Sequence, residues 1–355
     1  MDKLTALYQQ WQSLQPLSDR KQYLLSQRFT VDYNYNSNHI EGNTLTYGQT
    51  ELLLLFGKVS GEGDLKDFDE MKASHVGLKM MAEEAADNSL PLTQNFIRQL
   101  HRTLLREDYT VYHTLPGGVQ SSYVIHAGQY KTRPNSVITR YGDRFEYASP
   151  EETPSLMGDL VDWYNEADQS GRFSPVELAA LFHYRYIRIH PFEDGNVRIA
   201  RLMVNYILAS HGWPMIVVRS RTKNEYLEAL HQADVLIGPS PTTGAHATLP
   251  QIRPFLKYFK GLVAKELRYN IDFSAEQSDN VWWYDGQRIV FRSPSSSALL
   301  HAMQLNPDIT IAELSEQTGI VPGAVKKQLK QMTLKGYIQR RDSDDSWHVL
   351  ATPSI

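Results

Sequence analysis

Two apolar helices and the short joint between them constrain this chain more than any other feature. Ser174-Pro175-Val176-Glu177 supplies an N-cap, a proline at the first helical position and the glutamate of a capping box, so a helix starts there. It runs to about Ile189, and Leu178, Leu181, Phe182 and Ile189 share one stripe. This is a core helix that delivers the next segment to a fixed place. A second helix begins at Asn196 and ends before Gly212. The joint and the new helix read His190-Pro191-Phe192-Glu193-Asp194-Gly195-Asn196-Val197-Arg198-Ile199-Ala200-Arg201.

The residue types in that run suit phosphate chemistry. A helix start behind a glycine-containing turn offers unpaired backbone N–H groups and a positive dipole end, and Gly195 and Asn196 sit where an anion docks. Arg198 and Arg201 are three apart, hence on one helix face, and guanidinium forks match phosphate oxygens. Asp194 suits Mg²⁺, which takes one or two carboxylates together with substrate phosphates. His190 lies within a few residues of this cradle, placed to remove a proton from an attacking hydroxyl. Singly, each has an ordinary reading: a satisfied core histidine, a surface carboxylate, two solvated arginines. Together within twelve residues, chance is the weaker account.

The rest of the 355 residues reads as two or three folding units, mainly α. Helical patterning covers Leu4 to Leu14, Asp19 to about Asn36, Tyr47 to Phe56, Leu65 to Ala86 and Gln94 to Leu105. Pro116, Gly117, Gly118, Gly128 and Pro134 break the pattern, and a short hairpin is expected from Asn135 to Ile138 and Phe145 to Tyr147 around Tyr141-Gly142-Asp143. Helices resume at Pro154 and later at Asn224 to Val235 and Arg253 to Tyr269. A strand pair follows from 272 to 292, then a linker at Ser293-Pro294-Ser295-Ser296. The tail reads helix, short strand at Ile309 to Ile311, helix Ala312 to Thr318, helix Pro322 to Lys335, then strands around Tyr337 to Arg340 and Trp347 to Leu350, the order of a winged helix-turn-helix. The expected domains are 1–110 (helical), 111–270 (a core with the hairpin at about 134–147), 271–295 (strand pair and linker) and 296–355 (winged helix).

A formal charge of −4 does not advertise nucleic acid or membrane as the main partner of the whole molecule. The absence of cysteine excludes disulfides, thiolate metal sites and cysteine nucleophiles. The start lacks the basic and apolar regions of a signal peptide, and Leu52 to Phe56 falls far short of a membrane span, so a cytoplasmic location is expected.

The run from His190 to Arg201 resembles the signature of the Fic family: histidine-proline-phenylalanine, any residue, acid, glycine-asparagine-glycine-arginine. His183 with Tyr184, Arg201-Leu202-Met203, Gly128-Gln129-Tyr130-Lys131-Thr132 and the Asn135 to Tyr147 hairpin are similar to Fic proteins too, a resemblance covering residues 30 to 235. It implies a Fic-type helical bundle with a hairpin flap that aligns a target segment by strand-like pairing. It implies a protein adenylyltransferase that moves AMP from ATP onto a Ser, Thr or Tyr hydroxyl of a target protein, with removal of AMP left open. His190 is then the general base, Asp194 the Mg²⁺ ligand, Gly195 and Asn196 the anion hole, and Arg198 the grip on the β/γ end. Phe192 is structural. Val197 stands where the family has a second glycine, and a β-branched residue neither adopts φ > 0 cheaply nor lets phosphate approach as closely, so a weakened activity is expected. Its N–H survives for an anion if the local angles are helical.

Ser37-Asn38-His39-Ile40-Glu41-Gly42-Asn43 resembles the inhibitory motif of the same family. The resemblance implies that Glu41, framed by Ser37 and Gly42 in a segment of about 19–43, pairs with Arg201 and displaces the γ-phosphate. The alternative is a plain turn between helices. In the tail, Val325, Leu329 and Met332 form an inner stripe while Lys326, Lys327, Lys330 and Lys335 face outward as on a DNA-recognition helix, although Asp342, Asp344 and Asp345 crowd the wing. DNA and a docked protein stand equal as partners of that module, and a homodimer stays open. The competing functions are a DNA-binding transcriptional regulator with a weak Fic domain and a nucleotide-binding adaptor without catalysis.

Overall fold

The computed structural model describes residues 3–87, 90–114, 118–138, 142, 144–275, 278–340 and 346–354. They form two compact units, one of Met1–Met71 with Ala264–Ile355 and one of Lys72–Val263. In chain order the first unit opens with α1 (Lys3–Ser13), α2 (Asp19–Ile40) and α3 (Tyr47–Phe56), and α4 (Leu65–Ala86) runs on into the second. The caps explain these starts: Ser18 accepts from the Lys21 amide ahead of α2, and Thr46 and Gln49 close a capping box ahead of α3. Helix α2 extends a turn past the expected Asn36, so Ser37 and Asn38 are helical and buried.

The second unit contains α5 (Gln94–Leu105), a hairpin of β1 (Tyr109–Thr114) and β2 (Gln120–Ile125), and the flap pair β3 (Val137–Ile138) and β4 (Arg144–Phe145). It continues with α6 (Thr153–Ser170), α7 (Pro175–Ile189), α8 (Asn196–Ser210), α9 (Lys223–Ile237), α10 (Pro241–Ala245) and the first half of α11 (Arg253–Ala275). The flap strands are shorter than expected, and Tyr141 and Asp143 of its turn lie outside the described residues. No strand was expected between 109 and 125, yet β1 and β2 pair from Tyr109↔Ile125 to Thr114↔Gln120. Tyr109, Thr110, Val111 and Tyr112, all aromatic or β-branched, favour that pairing.

Helix α7 is the centre of this unit. The Ser174–Glu177 capping box is present, and every residue from Leu178 to Ile189 is buried, so the single stripe read from sequence becomes burial on all sides. Buried charges on it therefore need partners. Arg188 donates to the Asp234 carboxylate at 3.0 Å and to the Gly238 and Ser240 carbonyls at 3.1 and 2.9 Å, and Arg185 donates to the Ala247 carbonyl at 2.9 Å. A β-carbon on Gly244 would lie 2.5 Å from Arg188 Nε, so that close approach requires glycine.

The first unit closes with the second half of α11, then β5 (Val281–Tyr284), β6 (Gln287–Val290), α12 (Pro294–Leu305), α13 (Ile311–Thr318), α14 (Pro322–Leu334), β7 (Ile338–Arg340), β8 (Trp347–Val349) and β9 (Thr352–Pro353). Strand β5 is central in the order β6-β5-β9, and β7 pairs with β8. Leu299, Leu300, Leu314, Val325, Leu329 and Met332 pack with Trp282 and Ile338 into the core of the winged helix. Two expectations are corrected. Ser293-Pro294 is no linker but the cap and first residue of α12, as serine before proline favours. Ile309 to Ile311 is no strand, because Thr310 and Glu313 make a capping box and start α13 there. Polar contacts within the unit tie α2 to later elements: Arg28 donates to Asn270 at 2.8 Å and lies over the Tyr269 ring, and Asn36 donates to Asp285 at 2.9 Å. Among the described residues no helix is long and apolar enough to cross a membrane.

Candidate active site

The joint of α7 and α8 lies wholly within the second unit. Helix α7 ends at His190, whose backbone is left-handed at φ 52, ψ 60, and α8 is entered through Gly195 at φ 73, ψ 0. The Asn196 side chain is turned to the loop, leaving the backbone amide for an anion. That side chain accepts from the Phe192 amide at 2.8 Å and donates to the Phe192 carbonyl at 2.7 Å, locking the loop. What remains for an anion is the set of unpaired amides at the start of α8. Val197 is the second residue of α8, so its backbone is helical and its N–H belongs to that set.

The loop is held from beneath. His101 on α5 stacks on Phe192, with centroids 3.7 Å apart and planes 3° from parallel. The Gly128 amide donates to His101 Nδ1 at 2.9 Å, which leaves the proton on Nε2 to donate to the Asp194 carbonyl at 3.0 Å. Burial pushes the His101 pKa down to about 4, so the ring is neutral, as both bonds require.

His190 stacks on Tyr147, with centroids 3.9 Å apart and planes 12° from parallel. Burial, and after it the charge of Lys131, lower its pKa to about 3 against the pull of the Ile187 carbonyl and Asp194. At neutral pH the imidazole therefore carries a free lone pair. The Asp194 carboxylate accepts from Tyr109 at 2.7 Å and lies 3.4 Å from Arg198. Burial would raise its pKa, but Arg198, the Tyr109 hydroxyl and the Gly195 amide outweigh that and hold it below the ordinary value. The side chain is 44% exposed, so a bound ion can reach it. Arg198 and Arg201 are both buried, and after burial it is the charge of Arg201 that lowers the pKa of His183 to about 3.

All seven sequence-selected residues from His190 to Arg201 thus gather at one place. Ser37, Glu41 and Gly42 belong to the other unit. Glu41 caps α2, its amide donating to the Asn38 carbonyl at 3.0 Å, and Gly42 turns the chain at φ 100 before Asn43 bonds back to the Asn38 carbonyl. Sequence reasoning gave no role to Tyr109, His101, Lys131 or Asn135, all of which contact the joint. Each lies far from it in sequence; Lys131 and Asn135 fall in segments whose resemblance to Fic proteins marked them without giving either a role, and nothing marked His101 or Tyr109.

A family model described as Fic/DOC family matches residues 91–208, and one described as winged helix-turn-helix DNA-binding matches residues 293–339. A crystal structure of a Fic domain containing signaling protein from Bacteroides thetaiotaomicron is 52% identical, with a TM-score of 0.72, covering 78% of this chain and 98% of that one. The protein adenylyltransferase fic-1 of Caenorhabditis elegans is 28% identical over 254 residues, 70% of this chain and 42% of that protein. The protein adenylyltransferase Fic of Nematostella vectensis is 30% identical over 224 residues, 63% of this chain and 44% of that protein. The chain therefore spans less than half the length of these curated relatives.

Proposed function

The chain belongs to the Fic/DOC family, and on that premise we propose that it is a protein adenylyltransferase moving AMP from ATP onto a Ser, Thr or Tyr hydroxyl of a target protein. The observation that carries the reading is the joint of α7 and α8, where a neutral imidazole, an ionised carboxylate and a helix N-terminus with two buried guanidinium groups fall within twelve residues. His190 takes the proton of the target hydroxyl as its oxygen attacks the α-phosphorus. The bond from that phosphorus to the bridging oxygen breaks, and pyrophosphate leaves with the electron pair. The N–H groups at the start of α8 receive phosphate oxygens, and Arg198 grips the β/γ end. Tyr147 fixes the plane of the imidazole through the stack.

Asp194 fits Mg²⁺, because it is a partly exposed carboxylate held in its charged form. Magnesium takes one or two carboxylates together with substrate phosphates, so an ion at Asp194 would be shared with the nucleotide. A Mg²⁺ held by Asp194 would supply positive charge against the phosphates of the nucleotide.

Val197 keeps the helical amide but adds a branched side chain beside it, which lowers efficiency without removing the anion site. Glu41, in the setting of Ser37 and Gly42, restrains the enzyme by competing with the γ-phosphate for the charge of Arg201. The test is incubation with α-labelled ATP. Label should be weak in the native chain, stronger in Glu41→Gly and lost in His190→Ala. No label in any variant, Glu41→Gly included, would reject the enzyme.

A second reading for the tail rests on α14, where Val325, Leu329 and Met332 are buried and Lys326, Lys327, Lys330 and Lys335 are exposed. Those lysines suit duplex phosphates, and the function is then a DNA-bound regulator that carries the transferase. Asp342, Asp344 and Asp345 lie outside the described residues. Binding to random duplex that weakens steeply with salt supports this role, and no binding at low salt favours a docked protein.

A further inference from the structure

The four carbonyls from Ile189 to Phe192 are all engaged by one short segment ahead of the flap. Lys131 Nζ donates to the Ile189 carbonyl at 3.1 Å, to the His190 carbonyl at 2.9 Å and to Asn135 Oδ1 at 2.8 Å. The Lys131 amide donates to the Pro191 carbonyl at 2.8 Å. Asn135 Nδ2 donates to the His190 carbonyl at 3.1 Å and to the Phe192 carbonyl at 2.8 Å. Lys131 is 3% exposed, and burial brings its pKa down to about 7.

When protonated, the Lys131 ammonium has three N–H donors and three acceptors take them, so none is left for a phosphate. That separates Lys131 from a phosphate-gripping lysine. The acceptors are also telling. The last carbonyls of a helix have no partner within it and carry the negative end of its dipole, so a buried cation is stabilised there. His190 holds a left-handed backbone that its β-carbon disfavours, and such a conformation persists only where surrounding contacts over-determine it.

We propose that Lys131 and Asn135 are a positioning pair for His190, fixing the left-handed turn from behind so that the imidazole and the amides of α8 face the nucleotide together. The inference rests on the adenylyltransferase reading for its catalytic consequence, but not for its structural one. Asn135 bridges the two parts of the device: its oxygen receives the ammonium and its nitrogen binds the loop. The flap begins two residues later at Val137, so the segment that anchors the base also anchors the strand expected to align the target.

The test uses the full chain with Lys131→Met, which keeps the apolar stem and deletes the donors, and Asn135→Asp, which keeps the acceptor for Lys131 and deletes the donor to the loop. Lys131→Arg is the conservative rescue. In the Glu41→Gly background, Lys131→Met and Asn135→Asp should each lower kcat about 100-fold, the cost of a base displaced by about 1 Å, with KM for ATP changed less than about threefold. Lys131→Arg should recover much of kcat. Without nucleotide, amide exchange should quicken in a peptide spanning 189–197 and stay unchanged in α5 and α9. If Lys131→Met does not fold, Asn135→Asp decides alone. Unchanged kcat, or faster exchange spread evenly along the chain, overturns the inference. If no chain carries label yet exchange quickens only in the loop, the enzyme reading fails and the positioning pair stands.

Discussion

His190 keeps a left-handed backbone that costs a residue with a β-carbon roughly 1–2 kcal/mol, a cost offset by packing against Tyr147 and by bonds to its carbonyl. The turn sets where the imidazole points, and burial keeps it neutral. His190→Ala should therefore abolish transfer while leaving the melting temperature within a few degrees, checked by labelling and by thermal unfolding of the same preparation. Val197 tests the cradle from the other side. Its backbone already has the helical angles an anion needs, so the obstacle is the side chain alone. Val197→Gly should raise kcat/KM for ATP about tenfold, equivalent to about 1.4 kcal/mol in the transition state. A fall would show that the isopropyl group supports the loop instead.

At the scale of elements, α7 carries the chemistry at one end and its specification at the other. The Ser174–Glu177 box starts the helix, and the Lys260 ammonium lies 2.7 Å from Glu177. Ser174→Ala should lower unfolding free energy by about 1 kcal/mol, read as a shift in urea midpoint, because one cap bond is lost from a helix whose remainder stays buried. Transfer should be unaffected, since His190 lies four turns away. Helix α2 works differently. Its end at Glu41 and Gly42 was readable both as an inhibitory segment and as a turn, and the geometry of a turn is present: Glu41 caps the helix and Gly42 reverses the chain. A turn can still present a carboxylate. Glu41→Gly should raise self-labelling with ATP, measured as initial rate, and an unchanged rate would leave the segment a connection only.

For the whole molecule, three imidazoles whose pKa values are strongly lowered make stability depend on pH. His101, His183 and His190 have folded-state pKa values of about 4, 3 and 3, below the roughly 6.5 of an unfolded chain. As pH falls through 6.5 the unfolded chain binds protons first, so stability present above that pH is lost progressively toward pH 3–4. Each histidine contributes a slope approaching about 1.4 kcal/mol per pH unit in that window. Urea midpoints should drop between pH 7 and pH 5, and His183→Gln should remove roughly a third of the slope. Helix boundaries, the α7–α8 joint and the winged helix were legible in sequence because caps, breakers and 3.6-residue periodicity act over a few residues, and the signature packs its chemistry into twelve. Where local signals misled, at Ser293 to Ser296 and Ile309 to Ile311, a cap read as a loop or strand was a helix start. Tertiary structure alone decided what lies under the joint. Tyr109, His101, Lys131 and Asn135 reach it from 55 to 93 residues away, brought there by packing around α7, and no periodicity along the chain encodes which distant polar group will meet a given carbonyl.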